Sequence, residues 1–175
     1  MDNHLKYTGK WKGRMAAGIL LALSLGGPAW AMPTGGRIQS GQGSIARNGK
    51  DMTVTQSSGK MAVDWTQFNI DGDEAVRFAQ PGRDAVALNR VTGGQKSVIY
   101  GSLSANGNLL LVNPNGLVFG RTSTLDVGSL VASTAQLNDT FMKSFADSTA
   151  GLDLTIRDGN TSAILNAGTI RAQGS

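Results

Sequence analysis

Beyond Leu25 the apolar residues of this chain come in short runs or alternate with polar ones, and Gly, Asn, Asp or Ser interrupts them every several residues. No stretch sustains the period of an amphipathic helix, so the pattern predicts an all-β protein. A strand-rich segment holds Val63, Trp65, Phe68 and Ile70. Further strands are expected over Ala75–Phe78, Ala85–Leu88, Val98–Leu103, Leu109–Val112, Leu117–Phe119, Leu125–Ala132, Leu152–Ile156 and Ala163–Arg171. Only between Ala135 and Thr149, where Phe141, Met142 and Phe145 cluster, is a short helix expected, as an excursion from the main body.

The pattern is sharpest from Leu109 to Gly120. Two apolar runs, Leu109–Val112 and Leu117–Phe119, flank Asn113, Pro114, Asn115 and Gly116. Pro114 fixes φ near the value wanted at the second position of a tight turn, and Asn115 and Gly116 are types that tolerate positive φ. The Asn113 side-chain carbonyl can accept from a backbone N–H two residues on. Strand, turn, strand is the reading, and building the turn is a stronger claim on Asn113 and Asn115 than recognition of a partner.

A weak repeat bears on the β architecture. Gly101-Ser-Leu-Ser-Ala105, Gly128-Ser-Leu-Val-Ala132 and Gly168-Thr-Ile-Arg-Ala172 share Gly, hydroxyl, branched aliphatic, any residue, Ala, and Gly43-Ser-Ile45 begins alike. Such spacings suit coils of roughly 20 to 30 residues with loop insertions, each placing Gly at a corner and an aliphatic residue inside. A sandwich is the usual solution for a β chain of this size. The repeat shifts the balance modestly towards a parallel β-helix, and the residues alone leave both open.

Composition changes the picture at the front. A polar, basic start with Lys6, Lys10, Lys12 and Arg14 leads into the apolar run Met15–Leu25 and the small-x-small triplet Ala29-Trp30-Ala31, which reads as a signal peptide over residues 1–31 cleaved after Ala31. The apolar run is about half of the roughly 20 residues a membrane anchor needs. Four of the 16 Lys and Arg and one of the 12 Asp and Glu fall in this segment, so residues 32–175 carry a net charge of only +1. No clustered basic field remains to favour nucleic acid. The single His, His4, leaves with the same segment, which excludes a His-based triad or zinc site from the mature chain. Cysteine is absent, so no disulfide can trap the chain folded in an oxidising compartment. About 144 mature residues suit one domain with a real core.

The remaining chemistry is thin. Asp71, Asp73 and Glu74 form the densest acidic cluster, but calcium-loop spacing is missing and no second acid can be placed opposite, so a solvated loop is expected. Gly93-Gly94-Gln95-Lys96-Ser97 lacks the Gly-Lys pairing of a phosphate loop and reads as a hairpin-like corner. Trp65 and Phe68 are expected as buried cap residues rather than sugar-stacking ones.

A longer set of blocks carries a resemblance. Asp64-Trp65 through Phe68-Asn69-Ile70, Val76-Arg77-Phe78-Ala79-Gln80-Pro81, Leu88-Asn89-Arg90-Val91-Thr92-Gly93, Ser97 with Ile99 and Gly101, Ser104-Ala105-Asn106-Gly107, Asn113-Pro114-Asn115-Gly116 and Leu130-Val131-Ala132-Ser133-Thr134 follow one another in order. Together they resemble the amino-terminal two-partner-secretion domain of filamentous-haemagglutinin-like exoproteins of Gram-negative bacteria. The second Asn-Pro-Asn-Leu-type element of that family is not visible here.

The resemblance implies a right-handed single-stranded parallel β-helix over residues 32–175, with an N-terminal cap and extra-helical β-strands, and the chain is expected to be truncated at its C-terminal end. It implies a secretion-targeting and folding-nucleation role and no catalysis, cofactor or metal. The implied route uses the Sec export machinery, then an outer-membrane β-barrel transporter whose periplasmic POTRA domains recognise the chain. Membrane contact occurs only during export, and the product is secreted or held at the cell surface. Asn113, Pro114, Asn115, Gly116, Asn89 and Asn106 are the residues it marks for transporter recognition or the folding nucleus. A stand-alone adhesive module that binds glycans or surfaces is the alternative, and a β-helical carbohydrate-active enzyme is less favoured.

Overall fold

A computed structural model describes residues 32–149 and 160–174. The expected signal peptide with its cleavage at Ala31, and the strand expected over Leu152–Ile156, lie outside the described residues.

The elements in chain order are β1 (Arg37–Ser40), β2 (Gly43–Asn48), β3 (Asp51–Gln56), β4 (Lys60–Trp65), β5 (Ala75–Ala79), β6 (Val86–Val91), β7 (Ser97–Ile99), β8 (Ser102–Ala105), β9 (Asn108–Val112), β10 (Leu117–Phe119), β11 (Thr124–Val127), β12 (Ser129–Ser133), α1 (Asp139–Ser144), β13 (Ile164–Asn166) and β14 (Thr169–Ala172). They form three sheets, with orders β1-β4-β6-β9-β12, β13-β10-β7 and β14-β11-β8-β5-β3-β2. Consecutive strands step from sheet to sheet while like strands of successive coils pair in parallel, as β4 with β6, β6 with β9 and β9 with β12. This is a parallel β-solenoid of about three turns. The sandwich is therefore excluded, and the weak glycine repeat pointed to the right architecture.

The interior is built from aligned rows. Met52, Val76, Leu103, Leu125 and Ile170 stand in register on one sheet, and Met61, Ala87, Leu109 and Leu130 on another. On the third, Phe119 pairs with Ile99, which also bridges Ile70. Each fully buried aliphatic or aromatic side chain contributes about 1.5 to 3 kcal/mol before the entropy of ordering is deducted. Stacking makes that gain available only when the neighbouring coil is present.

Three strands expected as continuous are each broken in two. Val98–Leu103 divides into β7 and β8, Leu125–Ala132 into β11 and β12, and Ala163–Arg171 into β13 and β14, because the chain turns a corner at Gly101, at Gly128 and at Gly168. A β-carbon at Gly101 would collide with the backbone carbonyls of Asp71 and Glu74, and one at Gly128 with the backbone of Gly107. The corners of successive coils thus press backbone on backbone, which only glycine permits. Gly101 and Gly168 lead into β8 and β14 of one sheet, whereas Gly128 leads into β12 of another, so the repeat combines two kinds of corner.

The amino end is closed by strands that the sequence pattern did not reveal. β2 pairs antiparallel with β3, and β1 antiparallel with β4. Beneath them Trp65 and Phe68 are each 1% exposed and meet edge to face at 5.5 Å, as expected of cap residues. The expected helix is present as α1, with Asn138 as its N-cap accepting from the Phe141 N–H. Met142 and Phe145 lie over Ala62, Leu88, Leu110 and Val112, forming a second apolar cluster on the outer face of the β4-β6-β9 sheet.

Candidate functional site

The Asn113–Gly116 turn joins β9 to β10. Gly116 N–H donates to the Asn113 carbonyl at 3.0 Å, closing the turn, and Asn113 Oδ1 accepts from Asn115 N–H at 2.9 Å, as the side-chain chemistry predicted. Gly116 takes φ 106° while Asn115 stays at negative φ, so only the glycine uses the left-handed region. Asn113 is wholly buried. Its Nδ2 donates to the Gln95 carbonyl and to Ser97 Oγ, both at 3.0 Å. Asn115 lies exposed and donates through Nδ2 to the Gly93 carbonyl at 2.8 Å. The Gly93–Ser97 stretch is therefore the corner beneath this turn, between two parallel sheets rather than within a hairpin.

Asn89 and Asn106 sit elsewhere. Asn89 is buried inside the solenoid, where its Oδ1 accepts from Trp65 Nε1 at 3.0 Å and its Nδ2 donates to the Ala87 carbonyl at 3.2 Å. It holds the cap tryptophan and satisfies the indole, which would otherwise be a buried unpaired donor. Asn106 is exposed at the corner between β8 and β9, where its amide clamps Gln80 by accepting from the Gln80 N–H at 2.7 Å and donating to the Gln80 carbonyl at 2.8 Å. Thus the six marked residues fall into one continuous turn and two separate joints.

Gln80 is the joint residue that sequence reasoning missed. It is 8% exposed, its Nε2 reaches Gln56 Oε1, the Ala85 carbonyl and the Asn108 carbonyl, and its Oε1 accepts from Gly107 N–H. One amide thereby ties three successive coils at one corner. Gln80→Leu keeps approximate volume and strands those groups, so a loss of about 2 kcal/mol in denaturant unfolding is expected. A glutamine inside an otherwise apolar-alternating block was the available signal.

Arg90 also carried no assigned role. It is buried on the outer face of its sheet, where it grips Asp64 through two bonds of 2.7 Å and donates to the Leu137 carbonyl at 2.8 Å. Asp139, at the start of α1, lies 2.8 Å from Nη2, the terminal nitrogen that also bonds Asp64. Hydrogen bonding to Asp64 is the main cause holding the guanidinium above its already high ordinary pKa, so the charge is permanent. Arg90 thus pins the helical excursion to the solenoid.

The acidic cluster is not a wholly solvated loop, contrary to expectation. Asp73 is exposed and pairs with Lys50, whose hydrogen bond lowers the Asp73 carboxyl below its ordinary value. Glu74 instead is 3% exposed, and its Oε2 accepts from Asp71 N–H at 2.9 Å, closing the corner from inside. Among the described residues no group of three or more His, Cys, Asp or Glu comes together to hold a metal.

The chain matches known proteins in both sequence and fold. The model of the TPS secretion domain family matches residues 29–175. The chain belongs to that family. This secretion domain is 38% identical over 106 residues to a heme/hemopexin-binding protein of Haemophilus influenzae strain Rd, covering 61% of this chain and 12% of that protein. It is 44% identical over 86 residues to a second heme/hemopexin-binding protein of Haemophilus influenzae, covering 49% of this chain and 9% of that one. It spans only about a tenth of the length of these curated relatives. Among solved structures, the HMW1 secretion domain from Haemophilus influenzae superposes with a TM-score of 0.69 at 27% identity, covering 78% of this chain and 35% of that chain. The chain is a secretion-targeting domain of a two-partner-secretion exoprotein, from a family of exported proteins rather than of enzymes, and its system implies an outer-membrane transporter.

Proposed function

We propose that residues 32–175 are the address and folding nucleus of a larger exoprotein, carried through the periplasm and recognised by the POTRA domains of its barrel transporter. The single observation carrying this reading is the division of labour at the family's asparagine turn. Asn113 is enclosed and spent on the joint, while Asn115, two residues on in the same turn, stands exposed. Export without a nucleotide-driven motor draws its free energy from coils that bury their rows of side chains beyond the outer membrane. A solenoid suits this because each coil needs only the one before it. Recognition of the extended chain uses β-augmentation, with the alternating segments near Trp65–Ile70 and beside the Asn113 turn as the added strands.

Asn115→Ala tests the recognition arm. It removes an exposed hydrogen bond, so unfolding is expected to shift by about 1 kcal/mol or less. Binding to purified POTRA domains, measured by surface plasmon resonance with the mature chain diluted from denaturant so that it meets them before it folds, is expected to weaken at least about tenfold, or roughly 1.4 kcal/mol. Undiminished binding by a normally folded Asn115→Ala chain would remove Asn115 from recognition and leave the turn with a folding role alone.

A further inference from the structure

The chain holds three Asn-Gly pairs, Asn48-Gly49, Asn106-Gly107 and Asn115-Gly116. Such a pair carries its own reagent. The main-chain nitrogen of glycine, unhindered by a β-carbon, can attack the asparagine Cγ; the Cγ–Nδ2 bond breaks, ammonia leaves and a cyclic imide forms. Water then opens the ring at either carbonyl to give aspartate or isoaspartate, so the net change is one amide hydrolysed, with no oxidant needed. All three asparagines are exposed, so access of solvent does not distinguish them. Their hydrogen bonds do. At Asn106 the leaving Nδ2 donates to the Gln80 carbonyl at 2.8 Å, and the attacking Gly107 nitrogen donates to Gln80 Oε1 at 3.0 Å. At Asn115 Nδ2 donates to the Gly93 carbonyl at 2.8 Å, and the Gly116 nitrogen donates to the Asn113 carbonyl at 3.0 Å. Asn48 has neither restraint, because among the described residues its side chain makes no hydrogen bond and the Gly49 N–H has no acceptor.

Asn48 ends β2 and Gly49 opens the two-residue connection to β3, with Asn48 opposite Asp51 as the last pair of the ladder. Gly49 takes φ 60°, and a β-carbon there would meet nothing within 4 Å, so no neighbour opposes the rotation that brings its nitrogen onto Cγ. Terminal rungs of a ladder also open most readily. We infer that Asn48 is a self-modification site of the folded domain, converting to aspartate and isoaspartate, while the coil joints at Gln80 and Asn113 keep Asn106 and Asn115 intact. An unfolded chain lacks that shelter, so conversion at Asn106 and Asn115 records time spent unfolded. The product alters the amino cap. Either form sets a carboxylate opposite Asp51, and isoaspartate adds a methylene to the main chain at the tip, so both loosen the pairing of β2 with β3.

The test follows the purified mature chain in mildly alkaline buffer made with heavy-oxygen water, folded in one arm and held in denaturant in the other, and maps the incorporated label by peptide mass spectrometry. In the folded arm Asn48 is expected to convert at least about tenfold faster than Asn106 or Asn115, because breaking two hydrogen bonds before attack slows those sites by at least that factor. In denaturant the three should convert at similar rates. Asn48→Gln, which would have to close a larger and slower-forming ring, should abolish the early conversion of the folded chain without moving its unfolding midpoint. Folded-arm rates that are equal across the three pairs, or lowest at Asn48, would overturn the inference. So would a preference for Asn48 that persists undiminished in denaturant, since it would then belong to the local sequence and not to the fold.

Discussion

Asn113→Ala is expected to destabilise the folded chain by about 3 kcal/mol, seen as a lower denaturant midpoint with an unchanged slope. The size follows from what the side chain does. Its Oδ1 holds the Asn115 N–H, and its Nδ2 satisfies the Gln95 carbonyl and Ser97 Oγ in a joint that excludes water. Truncation leaves several polar groups without partners, each costing about 1 to 3 kcal/mol if it stays dry, less whatever relaxation recovers. Asn113→Asp retains the acceptor but turns a carboxylate towards the Gln95 carbonyl, so it should not rescue the fold. An Asn113→Ala chain unfolding within about 0.5 kcal/mol of the parent would show that this corner is not a stability determinant. Set beside the small shift expected for Asn115→Ala, the pair separates two neighbouring asparagines that a secretion assay alone would score alike.

The second large effect lies at Arg90. Arg90→Ala abandons Asp64, whose side chain is only 13% exposed, and should cost about 3 to 5 kcal/mol. It also frees the Leu137 carbonyl and Asp139, so the amides of α1 should exchange with solvent faster than those of β6 and β9. Arg90→Met combined with Asp64→Leu is expected to recover most of the loss, because a buried ion pair is costly to break and often inexpensive to replace as a whole. Failure of the double substitution to improve on Arg90→Ala would show that anchorage of the excursion, rather than the stranded carboxylate, dominates.

How legible these features were depended on how each residue's role is encoded. Strands whose inner rows are aliphatic, such as Leu109–Val112, announce themselves, and the asparagine turn could be read down to its side-chain bond because the turn chemistry is local. The cap was hidden for a physical reason. β2 is exposed along nearly its whole length, and β3 carries only two apolar residues, Met52 and Val54, too few for their alternation with polar neighbours to stand out. Tertiary pairing creates them. Corners were misjudged at Gly101, Gly128 and Gly168 because β-branched and aliphatic residues continue on both sides while the chain changes sheet. Gln80, Arg90 and Glu74 were underrated because sequence position cannot reveal that a polar group is enclosed with partners from another coil. Asn89 and Asn106 were marked only by resemblance, and their separate tasks emerged from distances alone.

The direction of the corner bonds has its own consequence. Asn106 reaches back to Gln80, Asn108 to Arg83 and Ala85, Asn113 to Gln95, Asn115 to Gly93 and Thr122 to Tyr100. In these joints the later side chain grips a main-chain group laid down one coil before. A polypeptide delivered amino end first would bring these latches on the arriving piece and find the catch already in place, whereas Gln80, which accepts from the later Gly107 N–H, works the other way. Once a coil has clicked home, slipping backwards means breaking those latches in reverse order, so the same side chains that set the register also act as the pawls of a ratchet.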